Sequence, residues 1–185
     1  MPRRKILTPQ QRSDFLLFPD PEELPLIARF YTFSADDLHL IHQQRGDENR
    51  LGYALVLALL RYPGYPLKPQ QTLPSHILNY VAEQIGADSE AYEDYGKSQE
   101  GETRREHIRA VKKLFGLHKF SPLVRLQLHH TLLPLALTTA RSITLVEAAL
   151  EQQRRGRIVF PAFSAIEDLC AEVYAEANAS VYHQL

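Results

Sequence analysis

The chain has one cysteine, one methionine and no tryptophan in 185 residues. A lone Cys170 closes no intramolecular disulfide and builds no thiolate zinc cluster, which excludes a disulfide scaffold and argues against redox chemistry. No P-loop, G-x-G-x-x-G, C-x-x-C, H-E-x-x-H or G-x-S-x-G pattern occurs, so the usual routes to nucleotide, metal and acyl-transfer chemistry lack their local signatures. Long apolar runs are also missing. The longest, Leu51 to Leu60, is about half of what spans a bilayer, and Gly52 and Tyr53 interrupt it, so it reads as a buried helix. After the basic start Met1-Pro2-Arg3-Arg4-Lys5 come Gln10, Gln11, Arg12 and Asp14, where a signal peptide needs an apolar core; a cytoplasmic chain with no membrane partner is expected. What is present is 44% hydrophobic and 23% charged, a globular composition, and a chain of this length buries about 70% of its unfolded surface.

Net charge is only -1, which would disfavour a phosphate-rich partner if charge were evenly spread. It is not. Residues 1–12 carry +4, 13–48 carry -6, 49–82 carry +3, 83–95 carry -5, 96–125 carry +5, 126–157 carry +2 and 158–185 carry -4. Acidic and basic blocks alternate, as solvated helix faces do and as a chain with basic binding surfaces does.

Helix signals dominate, and no convincing strand is found. Thr8-Pro9 caps a short helix with Phe15, Leu16 and Phe18 on its apolar face. A second helix starts near Asp20-Pro21-Glu22-Glu23. Ser34 with Asp37 resembles a capping box for an eleven-residue helix, with Gly46 as a left-handed C-cap and Asp47 capping the next helix after a link of about three residues. Leu51, Ala54, Leu55, Ala58 and Leu59 follow helical spacing until Pro63-Gly64. Beyond a proline-rich loop come a helix from Ser75 to Ile85, a short acidic helix capped by Asp88 or Ser89, and a basic helix from Glu102 to Phe115. A long apolar helix then opens at Ser121-Pro122 and is kinked or broken near Pro134. Thr144 with Glu147 and Ser164 with Glu167 read as capping boxes for the last two helices. The fold expected is all-α and multi-helical: two tandem helix-turn-helix-like units, residues 1–66 and 67–120, followed by a C-terminal helical segment, 121–185.

The candidate chemical groups have bland explanations. His39 and His42 lie one turn apart, but no carboxylate or cysteine completes a metal set. His129 and His130 point to different helix faces. Asp36 and Asp37 suit the first turn of a helix by their charge, and Cys170 falls on an apolar stripe. Neither a metal nor a cofactor is expected.

What remains is the repeated pairing of an acidic helix, a short turn and a helix that starts basic or amide-rich. In a helix-turn-helix the second helix enters the major groove with its N-terminal residues toward base edges. The candidate second helices are Glu48 to Arg61, opening with Asn49 and Arg50, and Glu102 to Phe115, opening with Thr103, Arg104, Arg105 and His107. Asn reads adenine and Arg reads guanine by paired hydrogen bonds. Arg45, Arg61, Lys97, Arg109, Lys112, Lys113 and Lys119 complete the expected DNA-binding set.

Three stretches carry a family resemblance: RGDENRLGYALVLALLRYPG (45–64), YVAEQIGADSEAYEDYGKSQEGETRREHIRAVKKLFG (80–116) and RSITLVEAALEQQRRGRIVFPAFSAIEDLCAEVYAEANASVYHQL (141–185). They resemble the N-terminal region of the replicative transposases of the Tn-three family, as does FYTFSADDLHLIHQQRGDENRLG (30–52), with its aromatic segment, capped helix and Arg-Gly-Asp-x-Asn-Arg-Leu-Gly turn. The resemblance implies double-stranded terminal inverted repeats as partner and a bacterial, nucleoid-associated setting. It implies strand transfer by an Asp-Asp-Glu domain that does not lie in these residues, and hence no enzyme activity here. The alternative is a helical module that holds transposase protomers together by self-association.

Overall fold

The computed structural model describes residues 6–11, 18–66, 72–95, 97, 101–139 and 141–182, and divides the chain into two compact units. Among the described residues the regular structure is helical, with one isolated parallel bridge between His118 and Ile158.

The unit formed by Phe18–Gly116 contains α1 (Leu24–Tyr31), α2 (Ala35–His42), α3 (Asp47–Arg61), α4 (Ser75–Ile85), the 3₁₀ helix η1 (Ser89–Asp94) and α5 (Glu102–Leu114). Its organising element is α3, where every residue from Leu51 to Leu60 is buried. A helix apolar on all sides is stable only when surrounded, and α1, α2, α4, η1 and α5 all pack on it. Each large aliphatic side chain so enclosed contributes about 1.5–3 kcal/mol. Local signals place the neighbours. The Ser34 hydroxyl accepts from the Asp37 amide at 3.2 Å and Asp37 accepts from the Ser34 amide at 2.9 Å, a complete capping box. Gly86, at φ 66 and ψ 30, closes α4 in the left-handed conformation that a side chain resists. Gln84 joins α4 to the α1–α2 link, its carboxamide accepting from the Phe33 amide at 2.9 Å and donating to the Tyr31 carbonyl at 3.0 Å.

The other unit combines Met1–Leu17 with Leu117–Leu185. Here α6 (Pro122–Thr138), α7 (Ser142–Arg155) and α8 (Phe163–Tyr182) enclose a core of Leu128, Leu132, Leu145, Val146, Ile166, Leu169, Cys170 and Val173, joined by Leu7. Ser121 caps α6 by accepting from the Val124 amide at 3.3 Å, with Pro122 in the first turn where its missing N–H is harmless. The bridge adds two backbone bonds, His118 N–H to Arg157 O at 2.8 Å and Val159 N–H to His118 O at 2.9 Å.

Several local expectations change. α2 ends at His42, so it has eight residues and the link to α3 is residues 43–46. Gly46, at φ 81, is the N-cap of α3 rather than a C-cap of α2, and Asp47 is the first helical residue. α7 starts at Ser142 and α8 at Phe163, ahead of Thr144 and Ser164, because the apolar Ile143 and Phe163 pack on the core and draw the first turn inward. α6 continues through Pro134 unbroken. α3 and α5, from either side of residue 66, pack together in one compact unit. Phe15 and Leu16 of the first predicted helix lie outside the described residues, although Thr8 and Gln11 do cap each other reciprocally at 2.9 and 3.2 Å.

Candidate nucleic-acid interface

The α2–turn–α3 corner is held by its own polar groups. The Arg50 guanidinium donates to the Gln44 carbonyl and to Asp47, each at 3.1 Å, and the Asn49 amide donates to the Arg45 carbonyl at 2.8 Å and to Glu48 at 3.1 Å. Among the described residues, Arg45 stands exposed in the turn without using its side chain to build it. At the far end of α3, Arg61 donates from one nitrogen to both Asp37 carboxylate oxygens, at 2.9 and 3.0 Å, and lies over the Phe115 ring with 5.6 Å to its centroid. Burial alone would raise the Asp37 carboxyl. The Ser34 amide, the Arg61 guanidinium and the Ser34 hydroxyl outweigh it and hold the carboxyl below its ordinary value.

The η1–loop–α5 corner is different. Asp88 caps η1 by accepting from the Glu90 amide at 2.9 Å, and Lys97 is tied to Asp94 at 3.0 Å. α5 then begins after Gly101, whose φ of 76 turns the chain. Its inner side is His107 and Val111, while Thr103, Arg104, Ile108 and Lys112 are half-buried. Its outer side carries Arg105, Arg109 and Lys113, four residues apart and all exposed, with Glu102 and Glu106 beside them. Among the described residues none of these three cations forms an ion pair with Glu102 or Glu106, although Glu102 and Arg105, and Glu106 and Arg109, stand three residues apart. Lys119 is exposed as well, but in the other unit, beside the bridge that brings Arg157 next to His118.

A family model described as "Domain of unknown function (DUF4158)" matches residues 6–173. The chain belongs to the DUF4158 family. Its curated relatives include the transposase for transposon Tn501 of Pseudomonas aeruginosa, 40% identical across all of this chain, and the transposase for transposon Tn21 of Escherichia coli, 36% identical across all of it. The transposase for transposon gamma-delta of Escherichia coli K12 is 28% identical over 97% of the chain. Each match covers 18% of the relative's length, its N-terminal part. The sequence of this DUF4158 member is thus similar along its length to the N-terminal region of those transposases.

Of the residues singled out from sequence, His107 points into the fold. It is 8% exposed, packed inside the Phe18–Gly116 unit against Tyr53 and Tyr95, and burial lowers its pKa. Its position in the second turn of α5 puts it on the side facing α3. Arg50, Asn49, Arg61 and Lys97 have the internal partners given for each. Arg105, Arg109, Lys112 and Lys113 share one helix. The sequence reading missed the pairing of Asp37 with Arg61 and the roles of Gly52 and Tyr95. For Gly52 a signal was available: glycine inside an apolar helical run costs about 1 kcal/mol against alanine and calls for a packing reason. Among the described residues, no three His, Cys, Asp or Glu gather to hold a metal ion, and no helix is long and apolar enough to cross a membrane. Cys170 is fully buried, its thiol pushed up to about 12 by burial and by Glu167.

Proposed function

We infer that this chain binds double-stranded DNA of transposon terminal inverted repeats, as the non-catalytic N-terminal region of a replicative transposase. The observation that carries the reading is the exposed row Arg105, Arg109 and Lys113 on α5, the second helix of the η1–α5 pair. In this reading the N-terminal turn of α5, with Thr103, Arg104 and Arg105, approaches base edges, while Arg109, Lys112 and Lys113 meet phosphates. The α2–α3 corner contributes through Arg45 and the exposed parts of Asn49 and Arg50. The remainder of α3 is enclosed and serves as the support on which α5 rests. Lys119 belongs to the other unit, beside the bridge between His118 and Ile158. Strand transfer is assigned to the part of the relatives that this chain does not match.

The test is enrichment of a duplex from a random-sequence library, followed by anisotropy titration of the enriched and scrambled duplexes across salt. With about six phosphate contacts, affinity falls roughly a thousandfold between 50 and 200 mM salt. A chain that enriches no sequence and binds with no salt dependence removes this reading.

A second reading, a module for self-association, is favoured by one feature: Leu123, Leu126 and Leu137 of α6 are 64%, 53% and 50% exposed. Light scattering across concentration tests it, a constant monomer mass being the outcome that rejects it.

A further inference from the structure

Three elements meet at one buried joint in the Phe18–Gly116 unit. The Tyr95 ring, just after η1, lies on the backbone of α3 at Gly52, so closely that a Cβ added to Gly52 would overlap the ring. Its other side stacks on His107 of α5, with centroids 5.6 Å apart and planes 18° from parallel, and its hydroxyl is 2.9 Å from His107 Nδ1. Tyr53 meets the same imidazole edge-on at 5.2 Å and 83°. Tyr92 stacks on Tyr95 at 5.9 Å. Burial disfavours the charged imidazole, so it is a neutral ring that shares this hydrogen bond with the Tyr95 hydroxyl.

Phe and Leu at these positions would fill the space without placing a hydroxyl and an imidazole out of water, which costs free energy unless they bond each other. What the polar pair adds is direction. Apolar packing lets a helix rotate or slide by small amounts at little cost, whereas a bond from Tyr95 to His107 holds one rotation of α5 about its axis. Tyr95 stands six residues before the last residue of the loop, Gly101, so the same bond fixes where α5 begins. His107 is one turn from Arg104, and Arg104 acts electrostatically on both Tyr92 and Tyr95.

We propose that Gly52, Tyr95 and His107 are positioning residues for base reading: their joint sets the rotation and start of α5 and so aims Thr103, Arg104 and Arg105 at the groove. The proposal rests on the DNA-binding reading above. Its consequence is a separation of two quantities. Contacts to phosphate tolerate a small rotation of a flexible cation, but paired hydrogen bonds to a base edge do not. Disrupting the joint therefore reduces discrimination and leaves non-specific affinity in place.

The experiment compares the full chain with Tyr95→Phe, which keeps the ring on Gly52 and removes only the hydroxyl, and with Gly52→Ala, which displaces the ring. Both are titrated against the enriched duplex and its scrambled counterpart at one salt concentration, with thermal melts alongside. Tyr95→Phe is expected to lower the preference for the enriched duplex by about tenfold, the equivalent of one hydrogen bond, with scrambled binding unchanged. Gly52→Ala is expected to lower it at least as much; should it fail to fold, Tyr95→Phe alone decides. Unchanged discrimination in a folded Tyr95→Phe chain overturns the proposal while leaving DNA binding standing. Equal weakening on both duplexes together with a lower melting temperature overturns it too, since that is what a merely structural role gives. Absence of any duplex binding by the unmodified chain overturns the DNA-binding reading and the proposal with it.

Discussion

At the scale of single residues, two buried titratable groups do the most to hold the helices of the Phe18–Gly116 unit. Asp37 serves both the start of α2 and the end of α3, since it completes the Ser34 capping box and receives Arg61. Asp37→Asn is expected to cost about 1–3 kcal/mol by denaturant unfolding, reduced from the value for a fully enclosed pair because the Arg61 side chain is 34% exposed. Because the folded carboxyl is held below its unfolded value of about 3.9, its contribution is present above that pH and is lost as pH falls through the folded value. The asparagine variant should accordingly show a flatter stability curve below pH 4. His107 obeys the same sign for a different reason. Burial lowers its pKa, so the unfolded chain takes up the proton first, and stability present above about pH 6.5 is lost as pH falls toward the folded value. Tyr53 and Tyr95 pack on it, Tyr92 stacks on Tyr95 and Arg104 acts on both Tyr92 and Tyr95, so none of these groups rescues the charged form. Unfolding free energies measured at pH 8 and pH 5.5 should differ less in His107→Gln than in the unmodified chain.

At the scale of elements, α5 separates into a side that builds the fold and a side that is free to bind. Val111 is fully enclosed, whereas Arg105, Arg109 and Lys113 are exposed. Alanine at each of those three should leave stability within about 0.5 kcal/mol and weaken DNA binding, and removing one cation from a phosphate lowers the salt slope by about one. Chemical denaturation beside anisotropy measures both, and three variants with unaltered DNA affinity would move the interface off α5. The helix itself was legible in the sequence: Gly101, the basic stretch and Gly116 bracket it, and its apolar positions repeat at three and four. α3 was legible as a helix too, and its burial followed from a ten-residue run, Leu51 to Leu60, that is apolar apart from Gly52 and the Tyr53 hydroxyl. Which cations were already committed was not legible. Arg61 and Asp37 are 24 residues apart in sequence, and nothing local announces their pairing. Likewise Asn49 and Arg50 read as groove-facing residues by type and position, yet their side chains close the turn that precedes α3.

At the scale of the whole molecule, residues 18–116 form a contiguous compact unit with their own enclosed helix, while the other unit draws Leu7 from the N-terminal end of the chain. A fragment of residues 18–116 is therefore expected to keep its helical circular dichroism and a cooperative melt. Leu7→Ala in the full chain should cost about 2–4 kcal/mol in the unit that holds α6, α7 and α8. A fragment that melts without cooperativity would show that the unit needs the rest of the chain. The sequence by itself determined the all-α class, the order of the helices and the transposase resemblance, because helical periodicity, capping pairs and glycine stops act within a few residues of one another. Only the tertiary structure decided that α3 and α5 pack together, that His107 faces inward and that Leu7 belongs to the C-terminal helices. These depend on which apolar faces find each other across long stretches of chain, and that choice is made by shape and burial rather than by any local pattern.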